Sequence, residues 1–227
     1  MTPILCIETS TKVCSVCISD GHTILAMAED DEDEYTHAER LNVLIAEVIK
    51  LTGLEFLDLR AIAISEGPGS YTGLRIGVST AKGIAMACNI PIIAINTLKA
   101  MTYSVADQNP ENLFIPMIDA RRMEVFCSGF SGDLNPVFET RAQVIDPGAF
   151  PEGGDYSNVY FFGNGAEKTR EMLEPLGFEY ISGISASSAG MASLAYEKFR
   201  NADFVDTAYF EPFYLKDFVA GKPKKSF

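Results

Sequence analysis

Two carboxylates, Glu8 and Asp119, close the apolar runs at 4–8 and 114–119. Acids at the ends of such strands can hold a metal-bound nucleotide across a cleft; the same residues also serve as plain polar caps at a strand end. Around them the sequence offers little else for catalysis. Its two histidines are His22, just after a hairpin signal, and His37, in the first turn of a helix. Neither stands beside a histidine, cysteine or aspartate at metal-ligand spacing, and no G-x-S-x-G elbow marks a serine nucleophile. Cys14 and Cys17 form a C-x-x-C pair within 13–19, which reads as a strand. Residues three apart on a strand face opposite sides. Such a pair cannot chelate one metal, so both are expected as small core residues.

A glycine-rich connection, Gly67-x-Gly69-x3-Gly73, leads into a helix over 72–88. Glycines feeding a helix N-terminus can cradle phosphate. The spacing is neither that of a P-loop nor that of a dinucleotide fingerprint, and taken alone the segment reads rather as a sharp strand-to-helix turn. Inside the helix, Gly77 and Gly83 each cost about 0.5–1 kcal/mol relative to alanine. Gly73, Gly77 and Ala81 recur every four residues and form a smooth stripe. It invites close approach by another helix, either the one over 38–52 of the same lobe or one from another subunit.

The elements that position these residues follow from periodicity. Strands are expected at 4–8, 14–19 and 23–28, with Asp20-Gly21 as a tight hairpin turn. Thr36 and Glu39 have capping-box spacing, and the helix behind them carries Leu41, Leu44, Ile45, Val48 and Ile49 on one face, with Gly53 placed to end it. Further strands are expected at 61–65 and 92–95. Three antiparallel strands, then helix, strand, helix, strand, is the order of a ribonuclease-H-like lobe with a mixed sheet flanked by helices. The pattern restarts with strands at 114–118, 124–130 and 159–162 and helices near 166–176 and 187–201. The expected fold is therefore α/β with two such lobes, 1–106 and a degenerate 107–227, joined near 107–112. The helix at 187–201 could pack on either lobe, and the tail at 221–225 is expected to lack structure.

The chain has 227 residues, 47% of them hydrophobic, and a formal charge of −13. That charge repels phosphate backbones and argues against unaided nucleic-acid binding. Six acids crowd 29–34, a solvated loop or a contact for a basic partner. Five cysteines do not suggest a disulfide framework. With no charged n-region and no long apolar run, the chain is expected in the cytoplasm, away from membranes.

Several segments together resemble the bacterial TsaB (YeaZ) family: Ile7-Glu8-Thr9-Ser10-Thr11; the run from Gly67 through Ser70-Tyr71-Thr72-Gly73-Leu74-Arg75-Ile76 to Gly77; Ala81-Lys82-Gly83; Ile118-Asp119-Ala120-Arg121-Arg122 with Glu124-Val125-Phe126; and Glu211-Pro212 with Tyr214-Leu215. The resemblance implies the actin, hexokinase and heat-shock-ATPase superfamily. It also implies a non-catalytic subunit of the complex that makes threonylcarbamoyladenosine beside the tRNA anticodon. The catalytic paralogue, TsaD, holds metal through Asn-His-Leu-x-Gly-His; here the position reads Asn96-Thr97-Leu98-Lys99-Ala100-Met101, so that metal site is expected to be lost. The implied partners are a TsaD-like paralogue, a TsaE-like ATPase and a second copy when the chain is alone, with tRNA met only through the complex. No cofactor is expected on the chain itself, and ATP or ADP only within the complex. The implied interface comprises His37, Leu41, Leu44, Ile45 and Val48 of the first helix and Gly73, Leu74, Gly77, Val78 and Ala81 of the second. Glu8, where the family more often has aspartate, and Asp119 would be vestigial nucleotide-site acids. Two enzyme readings compete: a glycoprotease-type metallopeptidase, and a phosphotransferase of the sugar-kinase kind using Glu8 and Asp119.

Overall fold

A computed structural model describes residues 1–31, 36–146, 148–150 and 154–216. The first lobe is built on β1 (Pro3–Glu8), β2 (Cys14–Asp20), β3 (Thr23–Asp30), α1 (His37–Thr52), β4 (Ala61–Gly67), α2 (Tyr71–Cys88) and β5 (Ile92–Asn96). Its sheet runs β3-β2-β1-β4-β5. β1 pairs antiparallel with β2 and parallel with β4, which pairs parallel with β5. Every residue of β1 is buried, as a central strand covered on both faces requires. Leu5, Ile7, Val16 and Ile18 meet Leu41, Leu44, Ile45 and Val48 of α1 and Val78 and Ala81 of α2 on one face. Ile4, Cys6 and Cys17 point to the other face. Cys14 and Cys17 accordingly lie in different core clusters.

After α3 (Thr97–Tyr103) the topology repeats with β6 (Asn112–Asp119), β7 (Glu124–Ser131), β8 (Pro136–Val144), β9 (Asn158–Phe162), α4 (Arg170–Leu173), β10 (Glu179–Ile181) and α5 (Ala192–Arg200). This sheet runs β10-β9-β6-β7-β8, the first order again with β6 in the place of β1. The lobes interlock by exchanging helices. Leu98 and Met101 of α3 pack with Phe114, Ile118 and Phe162 of the second sheet. Ala195 of α5 and the preceding Met191 pack with Ile4, Cys6 and Cys17 of the first. Beyond α5 a strap crosses the first lobe. Val205 bridges to Ile92, the Phe213 amide donates to the Glu66 carbonyl at 2.7 Å, and Lys216 ends on Glu124 of the second lobe. Among the described residues no helix is long and apolar enough to cross a membrane.

Three local expectations change. The Thr36–Glu39 capping box does not form: Thr36 sits at φ −98, ψ 8, and its hydroxyl turns 3.5 Å to Asp30, leaving the Glu39 amide to the Thr36 carbonyl. Glu29 and Asp30 belong to β3 rather than to an acidic loop, and Asp30 is buried against Arg40 at 2.5 Å. The helix expected near 166–176 is broken into α4 and flanking 3₁₀ turns, the second with Pro175 in its first turn. The remainder of the acidic run, 32–34, and the tail at 221–225 lie outside the described residues.

Candidate functional site

β1 delivers Glu8 into a closed site. The carboxylate is fully buried; one oxygen accepts the Ser10 amide at 2.6 Å and the other has no hydrogen-bond partner among the described residues. Burial pushes the Glu8 carboxyl above the usual carboxylate range, against the opposing pull of Ser10. The lid is the glycine loop. Ser70 caps α2 by accepting the Gly73 amide at 3.3 Å, and its own amide donates to the Ser10 carbonyl at 2.6 Å. A Cβ on Gly69 would stand 2.3 Å from that carbonyl, so glycine lets the loop lie flat on the β1–β2 turn.

Asp119 is in the opposite situation. Its side chain is 47% exposed, ion-paired with Lys168, and accepts the Arg121 amide at 3.0 Å. Neither acid lines the interlobe cavity of about 490 Å³, which lies between Glu66 and Asn96 of the first lobe, Glu139 and Thr140 of the second, and Glu211 and Tyr214 of the strap. A metal-nucleotide site shared by Glu8 and Asp119 is therefore not assembled in this conformation. Glu8 is sealed under a loop, and the described residues lining the cavity between the lobes include three carboxylates and no cation. Among the described residues no group of three or more His, Cys, Asp or Glu is arranged to hold a metal. His22 is exposed, 3.5 Å from Glu197 and edge-on to Tyr196.

The expected interface residues are all interior. His37, Leu41, Leu44, Ile45 and Val48 on α1, and Gly73, Leu74, Gly77, Val78 and Ala81 on α2, are buried within the lobe. The glycine stripe serves an approach inside this chain. A Cβ on Gly73 would stand 2.1 Å from the Thr9 carbonyl and 3.0 Å from the His37 ring. The His37 Nε2 sits 2.7 Å from the Thr11 carbonyl, and burial lowers its pKa. The stripe thus seats α2 on the end of β1, and the side chains named for a partner are already used.

What α1 and α2 present outward is a different set. Val43 is 50% and Leu51 63% exposed on α1, Met86 is 74% exposed on α2, and Leu57 is 73% exposed on the 3₁₀ turn Phe56–Asp58 that touches α2. A Cβ on Gly83 would meet open space. Val43 and Leu51 fall off the 41/44/45/48 stripe, a signal already present in the helical spacing.

The family model described as TsaD, tRNA N6-adenosine threonylcarbamoyltransferase, matches residues 31–172, more than half of the chain. The tRNA threonylcarbamoyladenosine biosynthesis protein TsaB of Escherichia coli strain K12 is 29% identical over 96% of both chains. The chain belongs to the TsaB (YeaZ) family. A tRNA N6-adenosine threonylcarbamoyltransferase of Halalkalibacterium halodurans is 25% identical over 97% of this chain and 69% of its own length. YeaZ from Pseudomonas aeruginosa superposes with a TM-score of 0.78 at 22% identity, over 95% of this chain and all of that one. That likeness is one of fold: two lobes, each a mixed five-stranded sheet flanked by helices. In this TsaB-family chain, Thr97 and Met101 are buried, with Asn96 capping α3 through the Lys99 amide at 3.1 Å. Neither side chain is a metal ligand of the imidazole kind.

Proposed function

We propose that this chain is the non-catalytic, activating subunit of the cytoplasmic complex that makes threonylcarbamoyladenosine on tRNA, and that it pairs with a TsaD-like catalytic paralogue. The observation that carries the reading is four large apolar side chains in solvent, Val43 and Leu51 on α1, Met86 on α2 and Leu57 on the turn that touches α2. Large apolar side chains left in solvent on neighbouring elements are the kind of surface a partner covers. The names of the curated relatives supply the pathway. On this reading a TsaE-like ATPase joins the pair, a second copy covers the same face when the chain is alone, and nucleotide enters only with the complex. The phosphotransferase reading needs Glu8 and Asp119 to face one cleft, and here Glu8 is buried while Asp119 is solvated and paired with Lys168.

The test is co-purification with the TsaD-like paralogue of the same organism by size exclusion with light scattering. A one-to-one complex is expected. Leu51→Asp and Met86→Asp should each weaken it by about 30-fold or more, the effect of losing a hot-spot residue, with the fold intact by circular dichroism. No complex at micromolar concentration, or one indifferent to both substitutions, overturns the reading.

A further inference from the structure

The hairpin joining β6 to β7 holds two consecutive non-glycine residues in the left-handed region, Arg121 at φ 69 and Arg122 at φ 50. L-residues pay for that conformation, and glycine or asparagine are its usual occupants. Both arginines are exposed, and no ion pair engages either guanidinium among the described residues. The turn beneath them is rigid. The Asp119 carboxylate accepts the Arg121 amide, the Asp119 amide donates to Asn164 at 3.0 Å, and a Cβ on Gly165 would stand 2.9 Å from that amide. Each flanking acid is matched by its own lysine, Asp119 by Lys168 and Glu124 by Lys216. Among the described residues both arginine charges therefore stand uncompensated, on a chain whose formal charge is −13. Strain kept at an exposed tip marks a place where the side chains matter.

We infer that the Arg121–Arg122 tip is a contact for the phosphate backbone of RNA, made while the chain is held in its complex. A guanidinium fork matches a phosphate in two-point geometry. A local pair of uncompensated charges can add a phosphate contact that the acidic remainder of the chain cannot make alone. The choice of RNA over an acidic protein rests on the proposed function; the presence of a built anion contact does not. Asp119 then has a role: it shapes the turn that projects the arginines.

The test is titration of labelled tRNA with the paralogue complex at several salt concentrations, wild type against Arg121→Gly/Arg122→Gly. Glycine suits the turn, so the melting temperature should not fall. RNA affinity should drop several-fold at low salt, and the slope of log affinity against log salt should become shallower by about 1 for each arginine that met a phosphate. Unchanged affinity and slope in an assembled complex overturn the inference and leave the proposed function standing. Weakened assembly with the protein partner, at unchanged RNA affinity per complex, overturns it in favour of an acidic protein surface. If wild type forms no complex, the proposed function fails and the inference, which needs the complex, falls with it.

Discussion

Gly77 lies so close to Thr9 that a Cβ built on it would stand 2.3 Å from the threonine hydroxyl and 3.0 Å from the Ile64 side chain. That contact fixes how α2 lies over the end of β1, and so how the glycine loop closes on Glu8. Gly77→Ala should destabilise the chain by about 1–3 kcal/mol, the usual cost of overpacking. Six residues along the same helix the sign reverses. Gly83 faces open space, and Gly83→Ala should stabilise by about 0.5–1 kcal/mol through helix propensity alone. Urea unfolding of both variants checks the pair; two changes of the same sign would refute the seating of α2 described above.

A second contrast separates core from interface on α1. Leu44 is buried among the strands, and Val43, about 100° round the helix from it, is half exposed. Leu44→Asp places an unpaired charge in the core and should cost about 3 kcal/mol or more, enough to threaten folding. Val43→Asp should stay within about 0.5 kcal/mol of wild type in stability and lose affinity for the paralogue. Thermal melts beside the co-purification assay read both effects.

These contrasts show where the sequence was legible and where it was not. Periodicity placed the strands and both long helices of the first lobe within two residues, because strands with one or two buried faces and helices with a clean stripe leave strong signals. It missed β8, an edge strand that opens on Pro136 and carries Glu139, Thr140 and Arg141 in its middle, half exposed and without an apolar run. It missed α3 and β10, which are too short for a period to register. The stripe of Gly73, Gly77 and Ala81 predicts close approach by a helix; the approach is close, but at Gly77 its nearest atoms belong to Thr9 and Ile64, because spacing does not say what approaches. The answer, Thr9 and His37, depends on a tertiary contact that no local pattern encodes.

His37 yields a prediction with a definite sign. Burial lowers its pKa, so the folded state takes up a proton less readily than the unfolded chain, whose histidine titrates near 6.5. The unfolded state then binds more protons just below that pH. Stability is present above about pH 6.5 and is lost as pH falls toward the folded pKa. His37→Gln should remove this slope below about pH 6.5 while lowering stability throughout, since the contact with the Thr11 carbonyl is weakened. A proton NMR titration placing the His37 midpoint at or above 6.5 would contradict the buried neutral ring.

Glu8 should behave in the opposite sense. Its carboxyl is raised by burial, so between the unfolded value near 4.5 and the higher folded value the native state holds the extra proton. The associated stability is full below about pH 4.5 and is lost as pH rises through the folded pKa. The loss amounts to about 1.4 kcal/mol for each unit separating the two values. Glu8→Gln keeps an oxygen to accept the Ser10 amide and carries no charge to desolvate. It should therefore equal or exceed wild type in stability at pH 7.5, and the advantage should shrink on acidification to pH 5. Urea midpoints of the two proteins across that range decide it. A wild type that gains on the variant as pH rises would mean that the carboxylate is stabilised as an anion. In that case the loop over Ser10 opens to a cation or to solvent, and Glu8 returns to consideration as a ligand.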